Sequence, residues 1–119
     1  MSLVMYFVVM YAMACYGLAR HSPDGMYRSV YKEPIMSIDF TPASEEVTMV
    51  GVDYELYTGT YTPKGKSINV TVEAKDLKSL MKQFPNKIVG DTFERITFDD
   101  GSDTITVPYN GGDAFYGHK

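Results

Sequence analysis

The chain has 119 residues, 45% hydrophobic and 22% charged, which is the composition of a globular domain rather than of a disordered segment. Its net charge of −4 and pI of about 5.0 argue against the basic face that nucleic-acid-binding proteins use, so we expect no nucleic-acid partner. The single cysteine, Cys15, excludes a disulfide within the chain and fits a reducing compartment.

The first feature along the chain is an uncharged run at residues 3–19, LVMYFVVMYAMACYGLA. It is compatible with a signal peptide, a membrane span, a buried strand or a buried helix. The chain start lacks the positive charge of a signal peptide, although Ala12-Met13-Ala14 before Cys15 resembles a cleavage or lipid-attachment site. About 17 residues is the lower limit for a membrane span, so a membrane is not favoured. We expect residues 3–19 to belong to the fold, sheltered by a partner subunit.

The next segments favour strands. In residues 35–40, Met36, Ile38 and Phe40 alternate with polar positions and share one face. Residues 47–62 are predicted as one long strand that bends at Gly51 or Gly59. One face of that strand is predicted to carry Val50, Val52, Tyr54, Leu56 and Thr58.

Two hairpins and one helix complete the chain. A turn at 62–65 predicts that residues 54–62 pair with 66–73. A second hairpin joins 92–98 to 103–108, with Ile96 and Phe98 facing Ile105 and Val107, and the second strand ends or lies at an edge at Pro108. A last short strand is predicted at 114–116.

The helix is predicted near residues 75–84. Leu77, Leu80, Met81 and Phe84 form one apolar stripe at helical spacing, and Pro85 ends the helix. We expect this stripe to cover an open end of the sheet. The fold class is therefore mainly β, with α+β as the variant: an antiparallel meander or small barrel with one short helix, in a single domain that spans 1–119.

Part of this pattern resembles small lipocalin-like barrels. The resemblance rests on Gly59-Thr60-Tyr61, on the turn Pro63-Lys64-Gly65 and on the strand that begins Ser67-Ile68-Asn69-Val70, with Phe115-Tyr116 as a closing strand. The Gly-x-Trp signature of true lipocalins is absent, because the chain has no Trp. The resemblance implies a barrel around a small apolar ligand, whereas a chain this short can instead fill the barrel with its own side chains.

Residues with catalytic or metal-binding chemistry are few. His21 lies beside Ser22 and Asp24, but members of a catalytic triad come from distant segments, and His118 is expected to be mobile near the C-terminus. Asp99, Asp100 and Asp103 surround Gly101 without the spacing of a calcium loop, so a turn is the simpler interpretation. We therefore expect neither an enzyme, a metal site nor a cofactor.

Tyrosine is the unusual component, with ten residues. Tyrosine combines a large contact area with a polar tip and is enriched at protein interfaces. The candidate residues for ligand binding or an interface are Tyr6, Tyr11, Tyr16, Tyr54, Tyr57 and Tyr61.

The functional expectation is a non-enzymatic, cytoplasmic binding or interaction domain that self-associates through residues 3–19. The alternative is a lipocalin-like barrel for a small apolar ligand, exported or lipid-anchored through the same run. The sequence leaves open the identity of the ligand or partner, the oligomer number, and whether residues 3–19 are strand or helix.

Overall fold

The computed structural model describes residues 22–118. The apolar run at 3–19, with Tyr6, Tyr11, Tyr16 and Cys15, lies outside the described residues, and so does His21. The predictions made for these positions, including a single domain over 1–119, stay predictions.

The described chain forms a closed antiparallel barrel of eight strands. The strands are β1 (Gly25–Ser29), β2 (Ile35–Thr41), β3 (Glu46–Gly51), β4 (Leu56–Lys64), β5 (Ser67–Val72), β6 (Ile96–Asp99), β7 (Thr104–Tyr109) and β8 (Gly112–Gly117). Each strand pairs with its neighbours along the chain, and β8 pairs back with β1. The prediction of a mainly β fold with one short helix is confirmed, and the meander closes into a barrel.

The barrel has two distinct ends because consecutive antiparallel strands reverse direction. At one end, here called the helix end, β5 and β6 are joined through helix α1 (Ala74–Gln83) and a 3-10 helix (Thr92–Arg95). Leu80 of α1 is fully buried, and Leu77 and Phe84 pack against the core. The other end, here called the turn end, carries the β2–β3, β4–β5 and β6–β7 turns. Within residues 22–118 no helix is long and apolar enough to cross a membrane.

Alternating side chains of all eight strands fill the barrel, and the core side chains are at most 5% exposed. Aromatic rings occupy the turn end, where Tyr27 and Phe40 meet edge to face with ring centroids 5.8 Å apart. The largest fully buried side chains include Tyr27, Phe40, Ile38, Met49 and Tyr116. These side chains from all the strands form one hydrophobic core inside the barrel.

The prediction of one long strand over residues 47–62 was wrong. A turn divides the segment into β3 and β4, where the amide of Gly51 donates to the carbonyl of Glu55 at 2.8 Å. The predicted face that carries Leu56 is the outer one, since Met49 and Tyr57 are buried whereas Leu56 is 68% exposed.

Other predicted boundaries also move. Met36 is only half-buried, because the pairing of β2 with β3 shifts register between Ile35 and Ser37. Pro108 lies inside β7 and opposite Asp113 of β8, rather than at a strand end. The two predicted hairpins are confirmed as pairs, β4 with β5 and β6 with β7, although 92–95 is 3-10 helix rather than strand.

Candidate functional site

The site begins at the seam between β1 and β8, one of two strand pairings in the barrel wall that consist of only two residue pairs; the other joins β5 to β6. The register of the seam joins only Arg28 to Gly117 and Ser29 to Tyr116, whereas β7 and β8 share five pairs. In the described registers, residues 112–115 of β8 therefore have no partner in β1. Two clusters of side chains contact the seam where its backbone pairing stops.

The first cluster, here called the clasp, lies at the turn end and consists of Tyr27, Asp103 and His118. The hydroxyl of Tyr27 donates to Oδ1 of Asp103 at 2.6 Å, and Nε2 of His118 lies 2.8 Å from Oδ2. The imidazole also stacks on the ring of Tyr27, with centroids 4.2 Å apart. The clasp therefore connects β1, the β6–β7 turn and the chain beyond β8.

The second nitrogen of His118 completes the clasp. Nδ1 lies 3.0 Å from the carbonyl oxygen of Met26 in β1. This contact extends the link between β8 and β1 past Gly117, the last paired residue of β8. Asp103 is held in a left-handed backbone conformation, φ 53°, which Asp tolerates better than most residues.

The clasp keeps Tyr27 in its neutral form. Burial raises the pKa of the Tyr27 hydroxyl above its ordinary value of 10.0, and its hydrogen bond to the Asp103 carboxylate raises the pKa further. A neutral phenol donates a hydrogen bond, which the carboxylate accepts. Tyr27 thus acts as a fixed donor rather than as an acid or a base.

The second cluster, here called the tyrosine bridge, is buried inside the wall towards the helix end. Tyr116 donates its hydroxyl hydrogen to the carbonyl of Ile35 at 2.6 Å, and Tyr109 accepts from the amide of Ile35 at 3.3 Å. The two hydroxyls lie 2.8 Å apart. Since the Tyr116 hydrogen is committed to Ile35, Tyr109 donates to Tyr116, and each hydroxyl donates once and accepts once. Burial raises the pKa of both tyrosines.

The outer face of the seam is apolar. The side chains of Val30 and Phe115 are 81% and 62% exposed, and Met26 is 39% exposed. Together with Arg28 they form what is here called the seam surface. A cleft of about 450 Å³, bordered by Arg28, Val30 and Phe115, separates β1 and β8 from the β6–β7 turn. Isolated exposed apolar residues are ordinary, but a group beside a short strand closure is typical of a contact surface.

A second cleft, of about 480 Å³, lies on the other side of His118 at the turn end. Its wall includes Asp24, Asp100 and Ser102 beside the buried ring of Phe98. In residues 22–118 no three His, Cys, Asp or Glu side chains are grouped to hold a metal ion. Asp99 instead accepts a hydrogen bond from the amide of Gly101 at 3.0 Å, as a turn residue does.

The predicted tyrosines within the described chain occupy three different surroundings. Tyr54 is 77% exposed in the β3–β4 turn. Tyr57 is buried at the helix end, where its hydroxyl donates to Glu55 and accepts from the amide of Gln83. Tyr61 is buried at the turn end, with its ring edge-on to Phe40 at 4.9 Å. Their functional role stays a prediction.

Sequence reasoning missed the residues of both clusters. His118 was expected to be mobile, but the structure places it against Met26, Tyr27 and Asp103. Nothing in the sequence distinguished Tyr109 and Tyr116 from the other tyrosines as candidate site residues. Tyr116 lies in the strand predicted at 114–116 and Tyr109 directly follows the strand predicted at 103–108, but neither position indicates their shared partner, Ile35.

Comparison of the chain with family models, with curated proteins and with solved structures gave no match.

Proposed function

We propose that this protein is a non-enzymatic interaction domain that self-associates through the seam surface. The observation that carries the proposal is the exposure of Val30 and Phe115 next to a closure of only two residue pairs. Burying such side chains against a second apolar surface stabilises an assembly by about 25 cal/mol for each Å² removed from water.

A second copy of the chain suits this surface better than an unrelated partner. The edge of β8 at residues 112–115 is left unpaired by β1, and an antiparallel strand from a second copy would pair with it around a two-fold axis. An apolar patch is complementary to itself, so Phe115 of each copy would lie close to the axis. Arg28 and the exposed Asp113 supply opposite charges on the same face.

The side chains of the clasp already contact one another, and this favours a binding role over a catalytic one. The Asp103 carboxylate already accepts from Tyr27 and contacts His118, and Nδ1 of His118 is occupied by Met26. A general acid or base needs a free position facing a substrate. The packed interior likewise argues against the alternative of a small apolar ligand inside the barrel, because such a ligand would have to displace core side chains.

Residues 3–19 enter the proposal as a separate element. The barrel closes with strands from residues 25–117, so its wall does not require this run. We propose an anchoring or export role for the run, through Cys15 or a cleavage after Ala14, in place of the expected role as the subunit interface. The competing hypothesis is that the protein is cytoplasmic and assembles through residues 3–19. The experiment that follows distinguishes the two.

The experiment is the solution mass of the full chain by light scattering, measured beside two variants. We expect a dimer for the full chain, a monomer for Phe115→Asp and a dimer for Tyr54→Asp. Tyr54 is the control, because it is also an exposed aromatic residue but lies in the β3–β4 turn, outside the seam surface.

A chain that lacks residues 1–19 separates the two interfaces. If this chain is still a dimer, the seam carries the association. If it becomes a monomer while the Phe115→Asp full chain stays a dimer, residues 3–19 are the interface and the seam proposal is wrong. A monomeric full chain refutes self-association altogether.

A further inference from the structure

We infer that the clasp is a pH-sensitive lock on the β1–β8 seam, closed when His118 is an imidazolium ion and loosened when His118 is neutral. The inference concerns the barrel wall of a single chain. It does not depend on self-association.

The geometry of His118 sets this dependence. Both ring nitrogens face oxygen atoms that accept hydrogen bonds, the carbonyl of Met26 at 3.0 Å from Nδ1 and the carboxylate of Asp103 at 2.8 Å from Nε2. A neutral imidazole carries one N–H and one lone pair. Only the doubly protonated ring donates to both, so loss of the proton places a lone pair against an oxygen atom and removes one of the two contacts.

His118 also contacts an aromatic ring and borders two clefts that hold charged groups. Its ring lies on the face of Tyr27, with centroids 4.2 Å apart. The two clefts are also lined by Asp24 from the segment before β1, by Tyr27 and Arg28 from β1, and by Asp100 and Asp103 from the β6–β7 turn.

The consequence of deprotonation is confined to the seam. His118 follows directly after Gly117, whose partner is Arg28, and only one further pair joins β1 to β8. Without the contact to Met26 or Asp103, the last residues of β8 stay paired with β7, but only those two backbone pairs hold them to β1. An imidazole is charged at acidic pH and neutral at alkaline pH, so the lock is closed on the acidic side.

Amide hydrogen exchange followed by mass spectrometry tests the lock. The full chain is compared at pH 5.5 and pH 8, after correction for the intrinsic pH dependence of exchange. We expect protection of residues 112–118 and 25–29 to fall about threefold to fivefold at the higher pH, the range that a partly exposed ion pair provides. Residues 56–64 of β4, which pair with β3 and β5 and not with β1 or β8, serve as the internal reference.

Two variants complete the experiment. In His118→Gln, which donates and accepts but does not titrate in this range, we expect the pH dependence at the seam to disappear. In Asp103→Asn we expect the same loss. An unchanged pH dependence in His118→Gln, or equal protection of the wild-type seam at both pH values, would overturn the inference.

The Phe115→Asp chain keeps the lock separate from the proposed function. If self-association alone protects the seam, its pH dependence is absent from this variant, and the lock is refuted. If the lock is correct, Phe115→Asp shows the wild-type pH dependence whatever its mass in solution.

Discussion

The tyrosine bridge and the clasp both attach the end of the sheet at β8 to its beginning, with opposite chemistry: the bridge binds Ile35 of β2, and the clasp binds Met26 and Tyr27 of β1. The bridge is buried and neutral, and its two hydroxyls form a circuit with the amide and carbonyl of Ile35. The clasp contains an ion pair whose side chains are 44% and 49% exposed, at His118 and Asp103 respectively. Both clusters use a tyrosine from the barrel interior, so the difference lies in what that tyrosine contacts and how much water reaches it.

Because of this difference, the bridge is insensitive to solution conditions, whereas the clasp responds to them. A buried neutral hydrogen bond is insensitive to salt and to pH near neutrality, but leaving one partner unsatisfied is costly. An exposed ion pair adds little stability and is screened by salt, yet it responds to protonation. The seam thus combines one fixed attachment at its helix side with one adjustable attachment at its turn end.

The largest effect is expected from Tyr116→Phe. The change removes the donor to the Ile35 carbonyl and the acceptor for Tyr109, inside a packed wall. We expect a loss of about 1–3 kcal/mol in the free energy of unfolding, measured with urea. Tyr54→Phe, at an exposed position, is the control and should change stability by less than about 0.5 kcal/mol. An equal effect of both changes would mean that the bridge contributes no more than a surface hydroxyl.

The second-largest effect is expected at alkaline pH, where the contribution of the tyrosine bridge to the free energy of unfolding should fall. The pKa values of Tyr109 and Tyr116 are raised above 10.0 in the folded chain by burial, so these groups stay protonated while the unfolded chain ionises. Their stabilising contribution is therefore complete below pH 10 and falls as the pH rises above it. The loss approaches about 1.4 kcal/mol per pH unit for each tyrosine.

Urea unfolding between pH 9 and 11 measures this loss. The slope of stability against pH should be smaller in Tyr116→Phe than in the wild type, because one buried phenol is absent. Equal slopes in the two chains would contradict the role assigned to Tyr116.

The smallest effect is expected from the clasp. Asp103→Asn keeps a residue that tolerates the left-handed backbone but removes the negative charge that His118 and Tyr27 contact. We expect a loss of about 0.5–1 kcal/mol at neutral pH and low salt, reduced further at 1 M salt, since half of the side chain is exposed. Asp53→Asn, in the exposed β3–β4 turn, is the matched control. A loss that does not change with salt would show that the clasp acts by packing and not by charge.

The sequence predicted those parts of the barrel that form locally. Alternating apolar residues and turn residues predicted the β4–β5 and β6–β7 hairpins, and helical spacing predicted the helix. Each of these patterns involves residues that are close together in the sequence. The sequence did not identify the inward face of β3 and β4, where Tyr57 is buried and the more apolar Leu56 is 68% exposed. Apolar character alone therefore does not identify the inside of a small barrel.

The seam was beyond sequence reasoning for a different reason. Tyr27 and Asp103 are 76 residues apart, and Ile35 and Tyr116 are 81 apart. No local pattern relates positions at such distances, and their meeting depends on the closure of the whole sheet. The candidate site was missed because it exists only once the barrel is closed.

The narrow closure between β1 and β8 also determines the order in which the barrel assembles. Met26 and His118 are separated by 92 positions, whereas the hairpins join neighbouring segments. Closing a long loop costs more chain entropy than closing a short one, so the hairpins form early and the β1–β8 contacts form last. Contacts that are absent from the folding transition state affect the unfolding rate rather than the folding rate. We therefore expect a weakened seam to speed unfolding of the closed barrel more than it slows folding.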